Sequence, residues 1–430
     1  MFGVGLAPAS AAPDRFGEPC GDPAYRFEIV AEESIGGCTA YIVRMTSQEW
    51  RGHEWWHWLS ILVPPRVDHD DAAVLFITGG SQRSRQPAGR SREAAMMAQL
   101  ANRSNAVLAV LQQVPNQPLY DGLYEDDLIS YTFDKYLNGG DDDWPLLQPM
   151  VKSAVRAMDT VASVMKEKAG KSTERFVVTG ASKRGWTTWL TAAEDRRVVA
   201  IAPMVIDTLN MQPQMERQVM SYGGFSDQIA PYTSKNIPER MSTKRGEQLR
   251  KLVDPFEFRE HLVMPKLVVL GTNDPYWTVD ASSLYFPELL GAKNLFYLAN
   301  AGHGLGIGIT PTMVAFFRAS LAGETLPQLK WRVADGKLHV SWQEAGGKPR
   351  VWRAESDSRD FRHARWKSTP LEGASSCEVA LEQPDDGWSA CYVEVQFAGD
   401  GQRFGVSTEI VVRPERFPFK SPAEASARRR

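Results

Sequence analysis

The sequence is poor in the features that mark specialised classes of protein. Its 430 residues include only four cysteines and seven histidines, and the formal net charge is −3. A charge this close to neutral gives no support for binding to nucleic acid or to an anionic membrane. No apolar run approaches the roughly 20 residues that a transmembrane helix needs. Apolar residues make up 43% of the chain, which is typical of a globular protein with two or three domains.

The cysteines lie near the two ends of the chain, as the pairs Cys20/Cys38 and Cys377/Cys391. Each pair is close enough in sequence to form a local disulfide in an oxidising compartment, and free thiols in a cytoplasmic protein are the alternative. The start, MFGVGLAPASAAPDRF, lacks the charged beginning and full apolar run of a signal peptide, although Ala9-Ser10-Ala11 resembles the end of one. We expect a periplasmic or secreted protein with an absent or truncated signal peptide, with a cytoplasmic location as the alternative.

Apolar patterning predicts an α/β protein with a mainly parallel sheet. Residues 73–78 and 106–110 are continuous apolar runs, typical of strands buried on both faces. Apolar side chains at helical spacing predict a long helix over residues 144–168. Alternating strands and helices then indicate parallel strands covered by helices. Elements are predicted at residues 25–44, 55–63, 93–100, 176–179, 185–193, 198–206, 266–270, 283–290, 295–298 and 311–321.

Changes in composition predict the domain organisation. An irregular lead-in over residues 1–24 precedes the α/β domain, which spans residues 25–323. Within it, the long interval 209–262 separates two strands and is expected to form a cap over a site. Short strands without helices over residues 327–415 predict a β-sandwich of immunoglobulin or fibronectin type. Residues 416–430 form a basic tail.

The segment RFVVTGASKRGWTTWL contains the strongest catalytic signal. An apolar run ends at Gly180, and an amphipathic segment begins shortly after Ser182. A strand, a tight turn with a serine and a helix form the nucleophile elbow of α/β-hydrolases. The N–H of Lys183 then lies where it can bind an oxyanion. The usual G-x-S-x-G spacing is not kept, since Arg184 occupies the position of a small residue, so an ordinary loop serine is the alternative.

A histidine and an acid should complete such a site in the chain order Ser, Asp or Glu, His. Asp274 follows the strand at residues 266–270, and His303 stands between glycines after the strand at 295–298. The sequence therefore predicts Ser182 as the nucleophile, His303 as the base and Asp274 as the acid. Asp207 and Asp280 are the alternative acids.

Two further features of the site are predicted. Gly80, after the strand at residues 73–78, is the second expected oxyanion donor beside Lys183. Cations directly after the serine oppose the helix dipole, so they call for a partner. We expect Arg184 to reach an acidic side chain, with Asp207 as a candidate, or an anionic group on the substrate. Exposure of both cations to solvent is the alternative.

A competing motif is His53-Glu54-Trp55-Trp56-His57, which fits the zinc-peptidase pattern H-E-x-x-H. That pattern needs a helix, whereas the surrounding residues favour a strand. On a strand, residues four apart lie about 13 Å from each other, too far to share one zinc ion. We interpret the match as accidental.

Several motifs in order resemble the PhoPQ-activated pathogenicity-related proteins: WWHW at residues 55–58, EDDLISY at 125–131, GASKRGWTTW at 180–189, VIDTLN at 205–210 and GTNDPYW at 271–277. The resemblance covers residues 25–321 and implies an α/β-hydrolase fold in an exported bacterial protein, with little about the substrate. The elbow is also similar to that of glucuronoyl esterases, G-C-S-R-x-G, where an arginine helps to stabilise the oxyanion. Ala181 and Lys183 differ from that pattern, so the specificity does not transfer.

Together these features predict a serine hydrolase of ester or amide bonds that needs no metal or cofactor and acts through an acyl-enzyme. Its expected partner is a small-molecule, peptide or ester substrate, and the sequence leaves the oligomeric state open. The alternatives are a zinc-dependent peptidase at His53, Glu54 and His57, and a non-catalytic secreted binding or signalling protein on a hydrolase scaffold.

Overall fold

The computed structural model describes residues 23–87, 89, 91–399 and 401–420. The predicted lead-in as far as residue 22, which includes Cys20, lies outside the described residues, as do residues 421–430 of the predicted tail. Within the described part of the chain, no helix is both long enough and apolar enough to cross a membrane.

The strands of the described structure are β1 (Arg26–Ile35), β2 (Cys38–Trp50), β3 (His53–Val63), β4 (Ala72–Ile77), β5 (Val107–Leu111), β6 (Arg175–Ala181), β7 (Val198–Met204), β8 (Lys266–Gly271), β9 (Lys293–Leu298), β10 (Lys330–Ala334), β11 (Lys337–Ser341), β12 (Lys348–Ser356), β13 (Lys367–Pro370), β14 (Ser376–Ala380), β15 (Trp388–Gly399), β16 (Gln402–Ser407) and β17 (Val411–Arg413). The helices are α1 (Arg92–Ser104), α2 (Glu125–Leu137), α3 (Leu147–Ala169), α4 (Lys183–Glu194), α5 (Met211–Tyr222), α6 (Ala230–Thr233), α7 (Ile237–Arg240), α8 (Lys244–Val253) and α9 (Thr310–Leu321).

A mixed 14-stranded sheet runs through the molecule in the order β1-β2-β3-β5-β4-β6-β7-β8-β9-β16-β15-β12-β13, with β17 beside β15. The central strands β5, β4, β6, β7, β8 and β9 are parallel to one another. Their apolar runs are buried on both faces, as continuous apolar sequence predicts. This arrangement confirms the predicted α/β-hydrolase fold class and brings the loops after β6, β8 and β9 to one edge of the sheet.

Some predicted elements differ from the structure. Residues 25–44 form parts of two antiparallel strands, since Gly36 and Gly37 adopt positive φ angles and turn the chain. The helix predicted at residues 283–290 is replaced by single 3-10 turns on either side of Tyr285. Pro287 lacks the N–H donor that a continuous helix needs there. Helix α2 was not predicted.

The C-terminal region is all-β, as predicted, and its strands are divided between two sheets. β10, β11 and β14 form a small sheet. The other C-terminal strands extend the central sheet, because Ser407 of β16 pairs with Leu295 of β9. Cys377 on β14 and Cys391 on β15 belong to these two different sheets and are free thiols, as is Cys38. The local disulfide considered for Cys377 and Cys391 is therefore absent from this structure.

Two glycines let β6 and α4 cross closely at the turn that carries Ser182. A Cβ on Gly185 would lie 2.7 Å from Ile206 Cγ2 and 2.9 Å from the Met204 carbonyl oxygen. A Cβ on Gly180 would lie 2.7 Å from the carbonyl oxygen of Arg184. Distances this short leave no room for a side chain at either position. Gly180 and Gly185 therefore allow the close approach of β6 and α4 that a small residue at position 184 usually allows.

We therefore expect Gly185→Ala to lower the free energy of unfolding by about 1–3 kcal/mol, the usual effect of overpacking. The matched control is Gly224→Ala, since a Cβ at Gly224 has no atom within 4 Å. Its unfolding free energy should stay within about 0.5 kcal/mol of the wild type. Urea denaturation of the two variants measures the difference, and equal stabilities would contradict the crowding at the elbow.

Candidate active site

Ser182 occupies a strained turn between β6 and α4. Its φ and ψ angles are 59° and −128°, an unfavourable conformation for a residue with a side chain. The turn is held on both sides: the Ser182 N–H donates to the Met204 carbonyl at 2.8 Å, and the Trp186 N–H donates to the Ser182 carbonyl at 2.9 Å. Strain of this kind is typical of a serine presented at a nucleophile elbow.

His303 and Asp274 are brought together by the loops after β9 and β8. The Nδ1 atom of His303 lies 2.8 Å from Oδ2 of Asp274, and Asp274 is only 8% exposed. The other carboxylate oxygen, Oδ1, accepts the backbone N–H of Tyr276 at 3.0 Å. The ring of Tyr276 packs on the imidazole, with 4.3 Å between ring centroids. These contacts hold both the orientation and the tautomer of the histidine, with Nδ1–H toward the acid.

Ser182 and His303 line one cavity, which extends beneath the helices between β7 and β8. That interval, which includes the predicted cap at residues 209–262, contains α5, α6, α7 and α8. The helices contribute apolar side chains to the cavity wall: Met211, Met215, Tyr232, Ile237 and Met241. Ser182 and His303 therefore face a space that is mostly apolar.

Lys183 and Arg184 are buried and paired with α2. The Arg184 guanidinium makes a bidentate ion pair with Glu125, with Nη1–Oε2 and Nη2–Oε1 both 2.7 Å, and its Nε donates to the Val114 carbonyl. The Nζ atom of Lys183 lies 2.9 Å from Glu125 Oε2 and 3.2 Å from Asp126 Oδ2. The partner of Arg184 is thus Glu125, and the suggested pairing with Asp207 was wrong.

Glu125 is the main residue of this region that sequence reasoning missed. Burial alone would raise its pKa, but hydrogen bonds and charge from Arg184 and Lys183 outweigh that effect and lower the pKa to about 2. The signal was present in EDDLISY, where three acidic residues precede an apolar segment as they do at helix N-termini. The sequence offered no indication that this helix faces the elbow.

The two alternative acids have other partners. Asp207 accepts the Tyr285 hydroxyl at 2.5 Å, and burial, helped by the charges of Asp274 and Asp280, raises its pKa to about 7. Asp280 forms a 2.6 Å ion pair with Arg359. The carboxylate that contacts His303 is Asp274, so the structure joins His303 to the first-choice acid of the sequence prediction.

Gly80 is not brought to the cavity of Ser182. It lines a separate cavity together with Ser84 and Gln112. The space beside the preceding residue is filled by Arg184, since a Cβ on Gly79 would lie 2.6 Å from Arg184 Nη2. The arginine therefore packs against the glycine loop that usually supplies an oxyanion donor.

The HEWWH segment lies on strand β3, which contradicts the zinc-peptidase alternative. The ring of His57 is fully buried between Ser47 Oγ at 2.9 Å and the Gln112 carbonyl at 3.0 Å. Burial lowers its pKa to about 4. Glu54 pairs instead with Arg26 at the surface. Strand spacing separates the two histidines by roughly 13 Å, which is incompatible with one zinc ion.

The parallel sheet and the elbow define an α/β-hydrolase. Within that class, the chain belongs to the PhoPQ-activated pathogenicity-related protein family, whose model matches residues 17–362. It is 30% identical to autocrine proliferation repressor protein A of Dictyostelium discoideum over 454 residues, covering 94% of this chain and 91% of that protein.

Two solved structures are also similar to the chain. An acetyl xylan esterase from Paenibacillus sp. R4 has a TM-score of 0.49 and 14% identity, covering 71% of this chain and 90% of the esterase. A glucuronoyl esterase from Solibacter usitatus has a TM-score of 0.42 and 12% identity, covering 69% of this chain and 86% of the esterase.

The Arg184–Glu125 pair predicts a large effect of Arg184→Ala on stability. Breaking a buried pair leaves a carboxylate without its bidentate partner, an effect of about 3–5 kcal/mol in a fully buried site. Because the Glu125 side chain is 37% exposed and Lys183 remains beside it, we expect a decrease of about 2–3 kcal/mol in the free energy of unfolding.

The matched control is Arg83→Ala, which removes an exposed arginine and should change stability by less than about 0.5 kcal/mol. Arg184→Lys separates charge from geometry, since lysine keeps the charge but cannot bind a carboxylate through two N–H groups. Chemical denaturation of the three variants is the measurement. Equal stability of Arg184→Ala and Arg83→Ala would refute the role assigned to the pair.

Proposed function

We propose that the protein is a serine hydrolase that cleaves ester or amide bonds through an acyl-enzyme. The observation that carries the proposal is the 2.8 Å contact between His303 Nδ1 and Asp274, with His303 and the strained Ser182 on the wall of one cavity. In the neutral imidazole, Nδ1–H donates to Asp274 and Nε2 is left with a lone pair that can accept the serine proton.

The proposed reaction has two halves. As Ser182 Oγ attacks the carbonyl carbon, His303 Nε2 takes the hydroxyl proton and then delivers it to the departing alkoxide or amine. We assign the oxyanion contact to the N–H of Lys183, which is the first residue of α4. Water then attacks the acyl carbon while His303 Nε2 takes a proton from it, and the acyl–Oγ bond breaks as that proton passes to Ser182 Oγ. Because Gly80 lines a different cavity, we do not assign it the second oxyanion contact.

A second candidate is a non-catalytic binding or signalling role. It is favoured by the name of the relative, which describes repression of autocrine proliferation. The His303–Asp274 contact, with Ser182 on the wall of the same cavity, supports the hydrolase instead, and reactivity of the serine distinguishes the two. Export to the periplasm or the medium remains part of the proposal, based on the family resemblance.

The nucleophile assignment is tested with a fluorophosphonate probe. Ser182 should be labelled, and Ser182→Ala should lose both the label and several orders of magnitude in turnover of p-nitrophenyl acetate, because the three residues act as a unit. Mass spectrometry of the labelled peptide locates the adduct, and circular dichroism checks that the variant is folded. Labelling of another serine would make the elbow assignment wrong, and unreactive folded protein would favour the non-catalytic role.

The acid is tested by comparing two carboxylates. Asp274→Asn should lower kcat/KM by roughly 10³–10⁴, since an amide at this position favours the wrong histidine tautomer. Asp207→Asn should lower it by less than tenfold, because Asp207 contacts Tyr285 and its amide replacement can still accept that hydroxyl. Steady-state kinetics on one p-nitrophenyl ester measures both. A larger loss in the Asp207 variant would reverse the assignment.

A further inference from the structure

We infer that the cavity at Ser182 binds a short, uncharged aliphatic acyl group, an inference that rests on the proposed hydrolase function. The wall is built from buried and partly buried apolar side chains of α2 and α4 and of the segment between β7 and β8. The apolar side chains that line it include Phe133, Trp186, Met211, Met215, Ile237 and Met241. Burial of methylene groups against such a surface is favourable by about 0.8 kcal/mol each.

The charged groups on the cavity wall are already paired. Asp126 accepts the Tyr232 hydroxyl at 3.0 Å and lies 3.2 Å from Lys183 Nζ. Lys183 also contacts Glu125, so its single positive charge faces two carboxylates. An anionic acyl group would lose its hydration here and meet no excess of positive charge. The electrostatics of the wall therefore favour an uncharged group.

The cavity volume limits the size of that group. It is about 80 Å³. A cavity on the order of 150 Å³ holds a benzene molecule, so about half that volume suits a chain of roughly three carbons. With the carbonyl carbon held at Ser182, a chain of this length corresponds to a butyryl group.

The position of the apolar walls assigns the pocket to the acyl side of the ester. Trp186 lies one helical turn after Ser182 on α4, and its indole packs on Phe133 with 6.0 Å between ring centroids. Val205 and Met211, which follow β7 next to β6, add further apolar surface. The group that stays bonded to Ser182 after the alcohol departs is the one that these side chains surround.

The test is a series of p-nitrophenyl esters with a constant alcohol: acetate, butyrate, hexanoate and octanoate. We expect kcat/KM to rise at least tenfold from acetate to butyrate, since each buried methylene is worth about fourfold, and to fall by octanoate. The hemisuccinate ester, which carries a carboxylate on an acyl chain of similar length, should react at least tenfold more slowly than butyrate. A maximum at acetate, or a hemisuccinate rate equal to that of butyrate, would overturn the inference.

Two variants test whether the acyl chain lies in this pocket. Met215→Ala enlarges the pocket and should move the preferred ester from butyrate to hexanoate. The matched control is Met96→Ala, which changes an exposed methionine on α1 and should leave the preference for chain length as in the wild type. An unchanged profile in Met215→Ala would place the acyl group elsewhere.

Failure of this inference is distinguishable from failure of the proposed function. Phosphonate labelling of Ser182 with acetate as the best substrate would leave the hydrolase intact and refute the apolar pocket. If no ester is hydrolysed, calorimetry can measure whether butyramide and hexanamide bind to Ser182→Ala. This measurement tests the apolar pocket without requiring catalysis. Absence of binding to both amides would refute the pocket.

Discussion

The bidentate ion pair between Arg184 and Glu125 is the contact on which the geometry of the site depends. Arg184 lies in the first turn of α4, yet its guanidinium also contacts the glycine loop after β4 and the Val114 carbonyl after β5. Glu125 adds the first turn of α2 to the same cluster. One side chain therefore connects four chain segments around Ser182, and desolvation makes each of these contacts costly to break.

This cluster also explains how two cations are tolerated at a helix N-terminus. Their charges oppose the dipole of α4, but the acidic first turn of α2 lies directly against them. The charges at the N-termini of α2 and α4 neutralise each other. Asp126 lies on the wall of the cavity, where it contacts Lys183 and Tyr232. Mutual neutralisation is the reason that an apolar pocket can lie next to four charged residues.

Much of the site was predictable because its signals are local. Ser182, Asp274 and His303 each follow an apolar run that forms a parallel strand, and parallel strands place their carboxyl ends at one edge of the sheet. That rule brings His303 near the acids that follow β7 and β8, and the structure shows that the contact is with Asp274. The fold class followed from the same alternation of strands and helices.

The missed features depend on contacts between distant residues. Glu125 and Arg184 are 59 positions apart, and acidic residues at a helix start look the same whether they face solvent or a buried arginine. Asp207 was the candidate partner considered for Arg184, because a sequence gives no distances. The C-terminal strands join the central sheet through the pairing of Ser407 with Leu295. No periodic pattern in the sequence indicates such a pairing.

The acid and histidine loops are held by chain that lies outside the parallel sheet. Asn273 donates to the Ala364 carbonyl at 2.7 Å, and Asn300 exchanges two hydrogen bonds with the backbone of Trp366.

From the opposite side, Ser226 and Gln218 donate to the carbonyls of Pro275 and Tyr276 at 2.7 and 3.1 Å. These two bonds reach backbone atoms of the loop that carries Asp274, so they constrain the path of its main chain. The segment that follows residue 323, where the α/β domain is predicted to end, therefore helps to hold both loops on which His303 and Asp274 stand.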